Sequence, residues 1–135
     1  MTLAYVDANV ILRFLTGDPP EMAAQARALF EAAERGEITL RVEDIVIAEA
    51  VWVLQSFYRH PPAEIGRVLQ ELLSREGFEA ADKPSLLAAL ALYAGKHVDF
   101  ADALVAAHMA REGVGEIYSF DQHFDRLPGI KRQRM

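Results

Sequence analysis

Apolar positions fall along the chain in two alternating patterns: short runs suited to strands, and stripes spaced three and four apart suited to helices. Leu3 to Val6 is a short apolar run that predicts a buried strand ending at Asp7. From Val10 the period becomes helical, with Val10, Ile11, Phe14 and Leu15 on one stripe and Arg13 off it, until Gly17-Asp18-Pro19 stops it. An alanine-rich helix is expected from about Pro20 to Arg35, closed by Gly36. Ile38 to Val42 alternates as a strand, Asp44 to Tyr58 reads as a long apolar helix, and His60-Pro61-Pro62 leads into another helix ending near Gly77. A short strand over Phe78 to Ala81 precedes helices over Pro84 to Ala94 and Asp99 to Arg111. The chain then predicts a strand over Glu116 to Phe120, a short helix over Asp121 to Leu127 and a last strand over Ile130 to Arg134. Strands that alternate with helices call for an open parallel sheet covered on both faces, so the fold class is α/β.

Composition narrows the picture. A chain of 135 residues with 52% hydrophobic and 25% charged residues fits one globular domain spanning 1–135, with no linker, low-complexity tract or internal repeat. The absence of cysteine excludes disulfides and thiolate zinc sites. The N-terminal stretch lacks the basic and apolar segments of a signal peptide, and the longest uncharged run, Pro84 to Gly95, falls short of the roughly 20 residues that span a bilayer. A soluble, cytoplasmic protein is therefore expected, with no membrane contact. The formal net charge of −6 argues against a bulk electrostatic nucleic-acid binder, which needs lysines and arginines against phosphate. It suits an acidic site loaded with divalent cations, or a partner that brings the positive charge.

Candidate chemistry rests on carboxylates. Ligands of open parallel sheets bind beyond the carboxyl ends of strands, and two strands here end in aspartate, Asp7 and Asp121. Each also has an ordinary account as a helix cap. Glu49 lies inside Ile45-Val-Ile-Ala-Glu-Ala-Val-Trp-Val-Leu54, apolar on nearly every face, where a carboxylate either binds a cation or finds a gap to solvent. Asp99 and Asp102 stand three apart; one caps the next helix and the other suits its first turn, yet Asp102 sits on an otherwise apolar stretch. Carboxylates gathered in one pocket raise one another's pKa unless a cation compensates, and hard oxygen donors suit Mg²⁺ or Mn²⁺. His60, His97, His108 and His123 show no metal-ligand spacing and read as surface or helix-end residues. Phosphate-cradling glycine loops and a G-x-S-x-G elbow are absent.

In order along the chain, Asp7-Ala-Asn-Val-Ile-Leu-Arg-Phe-Leu, Ala48-Glu-Ala-Val-Trp-Val-Leu, Asp99-Phe-Ala-Asp-Ala-Leu-Val-Ala-Ala and Ser119-Phe-Asp-Gln-His-Phe-Asp-Arg-Leu-Pro-Gly resemble the four motifs of PIN domains, particularly those of VapC-type toxins. The resemblance covers essentially the whole chain. It implies a three-layer α/β/α fold with a mostly parallel central sheet, and a Mg²⁺- or Mn²⁺-dependent endoribonuclease, the toxin of a type II toxin–antitoxin pair. Asp7, Glu49, Asp102 and Asp121 would be its catalytic and metal-binding acids. Asn9, Asp99 and Ser119 would support them, and Arg13 would reach RNA phosphate or simply face solvent. The expected partners are an RNA substrate, a small VapB-like antitoxin and a second copy in a homodimer. A haloacid-dehalogenase-like phosphatase would need a second aspartate two residues after the first, where this chain has Asn9. A catalytically silent PIN-like module that only binds RNA or protein is the alternative.

Overall fold

A computed structural model describes residues 2–134. Strand β1 (Thr2–Tyr5) leads to α1 (Ala8–Thr16) and α2 (Pro20–Glu34), then β2 (Ile38–Arg41), α3 (Asp44–Ser56), α4 (Pro62–Leu73) and the two-residue β3 (Phe78–Glu79). Helices α5 (Lys83–Lys96) and α6 (Phe100–Glu112) follow, then β4 (Glu116–Tyr118), a 3-10 helix over Gln122–Arg126 and β5 (Lys131–Gln133). Local chemistry sets several boundaries. Gly17 and Gly113 close α1 and α6 in the left-handed conformation that glycine adopts without a Cβ penalty. The carboxylate of Asp82 accepts the backbone N–H of Ser85 at 3.2 Å and so caps α5.

All strand pairing is parallel, as the helix–strand alternation predicts. β2 lies between β1 and β3, with Thr2 opposite Ile38 and Leu40 opposite Phe78. β4 pairs with β5, Glu116 opposite Lys131. The strands thus form two parallel ladders, three strands and two, rather than one uninterrupted sheet. This placement makes β1 an edge strand and corrects the expectation that Leu3 to Val6 is buried throughout: Leu3 and Tyr5 are exposed, and only Val6 is buried.

Most of the buried residues form one cluster to which each helix from α1 to α6 contributes, including Ile11, Phe30, Ile47, Leu69, Leu90 and Ala103. Phe30 sits at its centre, with ring centroids 4.7 Å from Phe14 and 4.9 Å from Phe78, so it joins α1 and α2 to β3. Helix α3 buries Ile47, Ala50, Val51 and Leu54 on one side. Its opposite side is apolar as well but lies open, with Ile45 76% and Trp52 67% exposed. Glu49 shares this open side and is exposed. Of the two readings of Glu49, the gap to solvent describes its surroundings: a helix that is apolar all round need not be covered all round.

Candidate active site

Asp102 and Asp121 come from different elements and meet. Asp102 occupies the first turn of α6 and is half-buried. Asp121 directly precedes the 3-10 helix, and the local bonding of that turn fixes it. Its own N–H donates to Ser119 Oγ at 2.9 Å, and its Oδ1 accepts the backbone N–H of His123 at 2.8 Å. Ser119 Oγ is thus tied to the backbone of Asp121. Ligand atoms of Asp102, Asp121 and His123 all lie within 4.8 Å of one another. The Nδ1 of His123 is 3.3 Å from Asp121 Oδ1, yet its direction does not suit a hydrogen bond, so the contact is electrostatic.

The surroundings of the two carboxyls push their acidities apart. Burial first, then hydrogen bonding to Asp121 and the charges of Asp121 and Asp99, push Asp102 above the usual aspartate value, with His123 opposing. Asp121 is held below that value, chiefly by the His123 backbone N–H, and further by the charges of His123 and Arg126. Of the two, Asp102 is the weaker acid and Asp121 the stronger. Crowding adds to burial in raising Asp102, whereas the turn around Asp121 supplies a donor that lowers it.

Basic side chains brace this turn from outside. Arg132 forks onto both carboxylate oxygens of Asp125 at 3.2 Å and donates to the Ser119 carbonyl at 3.3 Å. Arg126 donates to the His97 carbonyl at 2.5 Å, tying the turn to the end of α5. These bonds brace the Ser119–Asp121–His123 segment and tie it to the end of α5.

Other residues singled out by sequence lie elsewhere. Asp7 caps α1, accepting the Val10 N–H at 3.1 Å, and lines a depression shared with Tyr5, Val10, Glu43 and Val46. Glu43, at the N-cap position of α3, was not anticipated. Glu49 faces solvent on α3, and neither Asp7 nor Glu49 belongs to the cluster around Asp102. Asp99 takes the N-cap position of α6, but its side chain makes no capping bond, and its influence on Asp102 is through charge. Asn9 and Arg13 line a cleft with Met22, Gln25 and Leu29, and Arg13 Nη1 donates to the Asp18 carbonyl at 3.3 Å. A cleft of about 1050 Å³ between α5, α6 and the segment before β5 is mainly apolar and contains none of the clustered acids. No described helix is long and apolar enough to cross a membrane.

Parallel strands, helical crossovers and two neighbouring carboxylates beyond a strand end define an α/β protein with an acidic site. The chain belongs to the PIN domain family, whose model matches residues 4–130. It is 30% identical over 122 residues to the VapC ribonuclease of Aquifex aeolicus (strain VF5), covering 90% of each chain. It also aligns, at 17% identity and a TM-score of 0.37, over 99% of its length and 98% of a chain in the crystal structure of VapBC2 from Rickettsia felis bound to a DNA fragment from their promoter.

Proposed function

We propose that this chain is a divalent-metal-dependent endoribonuclease acting as the toxin of a toxin–antitoxin pair. The observation that carries the proposal is the Asp102–Asp121 pair, in a PIN domain chain related to a VapC ribonuclease. The donor set fits the cation: two carboxylates whose ligand atoms lie within 4.8 Å of one another are the hard oxygen donors that Mg²⁺ or Mn²⁺ would take. Asp102 and Asp121 would hold it. Asp7 and Glu49 join them on the family motifs alone. A cation bound there supplies Lewis-acid stabilisation of charge on the phosphate and a more acidic water.

The chain's own residues supply the rest. Asp121, kept ionised by the His123 N–H, is the carboxylate suited to take a proton from water attacking phosphorus. Arg132 and Arg126 hold its turn in place, so that the proton acceptor does not drift. By family analogy the products carry a 5′-phosphate and a 3′-hydroxyl. Cytoplasmic action on RNA, a small antitoxin that lays basic side chains over the acidic site and a homodimer complete the proposal. The exposed Ile45 and Trp52 of α3 offer apolar surface for the second copy to cover.

The test is cleavage of a mixed RNA pool by folded protein freed of bound partners, with Mn²⁺, with EDTA, and with Asp7→Asn. Metal-dependent cutting that leaves 5′-phosphate ends and is lost in the variant supports the proposal. RNA binding without cutting under any condition would mark the chain as a silent PIN-like binding module.

A further inference from the structure

The four-acid reading leaves the imidazole of His123 without a task, although it stands in the cluster. Its buried Nδ1 makes no hydrogen bond. Asp121 Oδ1, 3.3 Å away, is already engaged by the backbone N–H of the same histidine at 2.8 Å. Two adjacent ligands of one octahedral ion, each about 2.1 Å from it, stand about 3.0 Å apart along an edge. The observed 3.3 Å is close to that edge, and no hydrogen bond between the two groups accounts for the approach.

Other histidine–carboxylate pairs in the chain differ. His108 and Asp44 are 3.7 Å apart, as are His60 and Glu64. Among the described residues, only at His123 does a second carboxylate, Asp102, bring three ligand atoms within 4.8 Å. The placement is also braced. Phe124, next in the 3-10 helix, is buried, Arg126 bonds the His97 carbonyl, and Arg132 bonds the Ser119 carbonyl.

We propose that His123 supplies a nitrogen donor to the divalent cation held by Asp102 and Asp121. The inference rests on reading that pair as a metal site. It has a consequence that an all-carboxylate site lacks. Mg²⁺ favours oxygen, whereas an imidazole donor strengthens binding of Mn²⁺ and, more steeply, of Ni²⁺. The site therefore prefers transition metals to Mg²⁺, and His123 sets that preference.

Metal-free full-length chain is titrated calorimetrically with Mg²⁺, Mn²⁺ and Ni²⁺ as wild type, His123→Ala, His123→Gln and Asp102→Asn, each checked for folding by circular dichroism. The Mn²⁺-loaded proteins are examined by pulsed electron paramagnetic resonance. In both His123 variants Ni²⁺ affinity falls about tenfold or more while Mg²⁺ affinity changes less than about threefold. Wild type shows nitrogen hyperfine coupling to Mn²⁺ that both variants lack. Binding that depends on Asp102 but shows no nitrogen coupling, with Ni²⁺ affinity unchanged in the His123 variants, overturns the role of His123 alone. Wild-type chain that binds no Mn²⁺, or binds it equally well as Asp102→Asn, removes the metal-site reading beneath it.

Discussion

Replacing Gly77 with alanine tests the packing of α2 against the three-stranded ladder. Gly77 has φ +89°, and a Cβ there would lie 2.4 Å from the carbonyl oxygen of Ala33 and 2.7 Å from its carbonyl carbon and Cβ. Neither side yields easily. Ala33 is buried in the last turn of α2, and its carbonyl already accepts the Gly36 N–H at 3.0 Å. The Gly77 carbonyl accepts the Leu40 N–H at 2.7 Å. Positive φ costs an L-residue about 1–2 kcal/mol, relief of an overpacked contact about 1–3 kcal/mol, and a weakened ladder bond about 1 kcal/mol. The sum is about 3–6 kcal/mol, a large part of the roughly 5–15 kcal/mol that holds a domain folded. Gly36→Ala is the control: φ is +79°, but nothing lies within 4 Å of the added Cβ. It should lose only the conformational part, about 1–2 kcal/mol. Urea denaturation of both variants gives the difference, expected near 2–4 kcal/mol. Equal losses would refute the close approach of α2 to this turn.

Opposed shifts at Asp102 and Asp121 make the stability of the metal-free chain depend on pH in two senses. Asp102, raised above 3.8, contributes stability that is complete below its unfolded value and lost as pH rises through its folded value; Asp121, lowered, contributes stability present above 3.8 and lost as pH falls through its folded value. Urea midpoints across pH should therefore show a fall above pH 3.8 that Asp102→Asn removes, and parallel curves for the two proteins would contradict the assignment. Tyr93 is pushed up to about 12 by burial and by the charge of Asp99, and its hydroxyl donates to Gln55 Oε1 at 2.5 Å. Ultraviolet titration should show a tyrosine ionising near 12, a step missing in Tyr93→Phe, whereas a wild-type protein with no step there would be inconsistent with this burial. Trp52, the sole tryptophan, is open to solvent, so acrylamide should quench it freely in dilute protein and less as concentration rises if a second copy covers α3. Shielding at every dilution would contradict the exposed face.

Much of this was legible because local chemistry decided it. Asp7 follows β1 and caps α1, and Gly17 and Gly113 end their helices where the apolar period breaks. Parallel pairing followed from helices placed between strands. What stayed hidden was which apolar surface finds a partner. Ile45 and Trp52 carry the same hydrophobicity as the buried Ile47 and Val51, so the pattern alone could not tell Glu49 that its side of α3 is open. The division of the sheet was hidden too, since β4 and β5 are three residues each and satisfy one another. His123 was passed over because histidine spacing along the chain shows nothing. Its place arises when a 3-10 turn returns the ring to Asp121 while α6 brings Asp102 from nineteen residues away, counted along the sequence. An Asp-x-His tripeptide just after a strand is the signal that would have pointed to it. Asp102 itself was legible as an acid on an apolar helix, and burial is the first cause of its shift.

The most direct measurement is the rate of RNA cleavage in Mn²⁺ by wild type and Asp102→Asn, prepared side by side and matched for folding. An essential carboxylate at the reacting centre predicts a loss of about a hundredfold or more in the variant, with EDTA silencing the wild type. Equal rates for the two proteins, or cutting that persists in EDTA, would contradict a ribonuclease built on the Asp102–Asp121 pair.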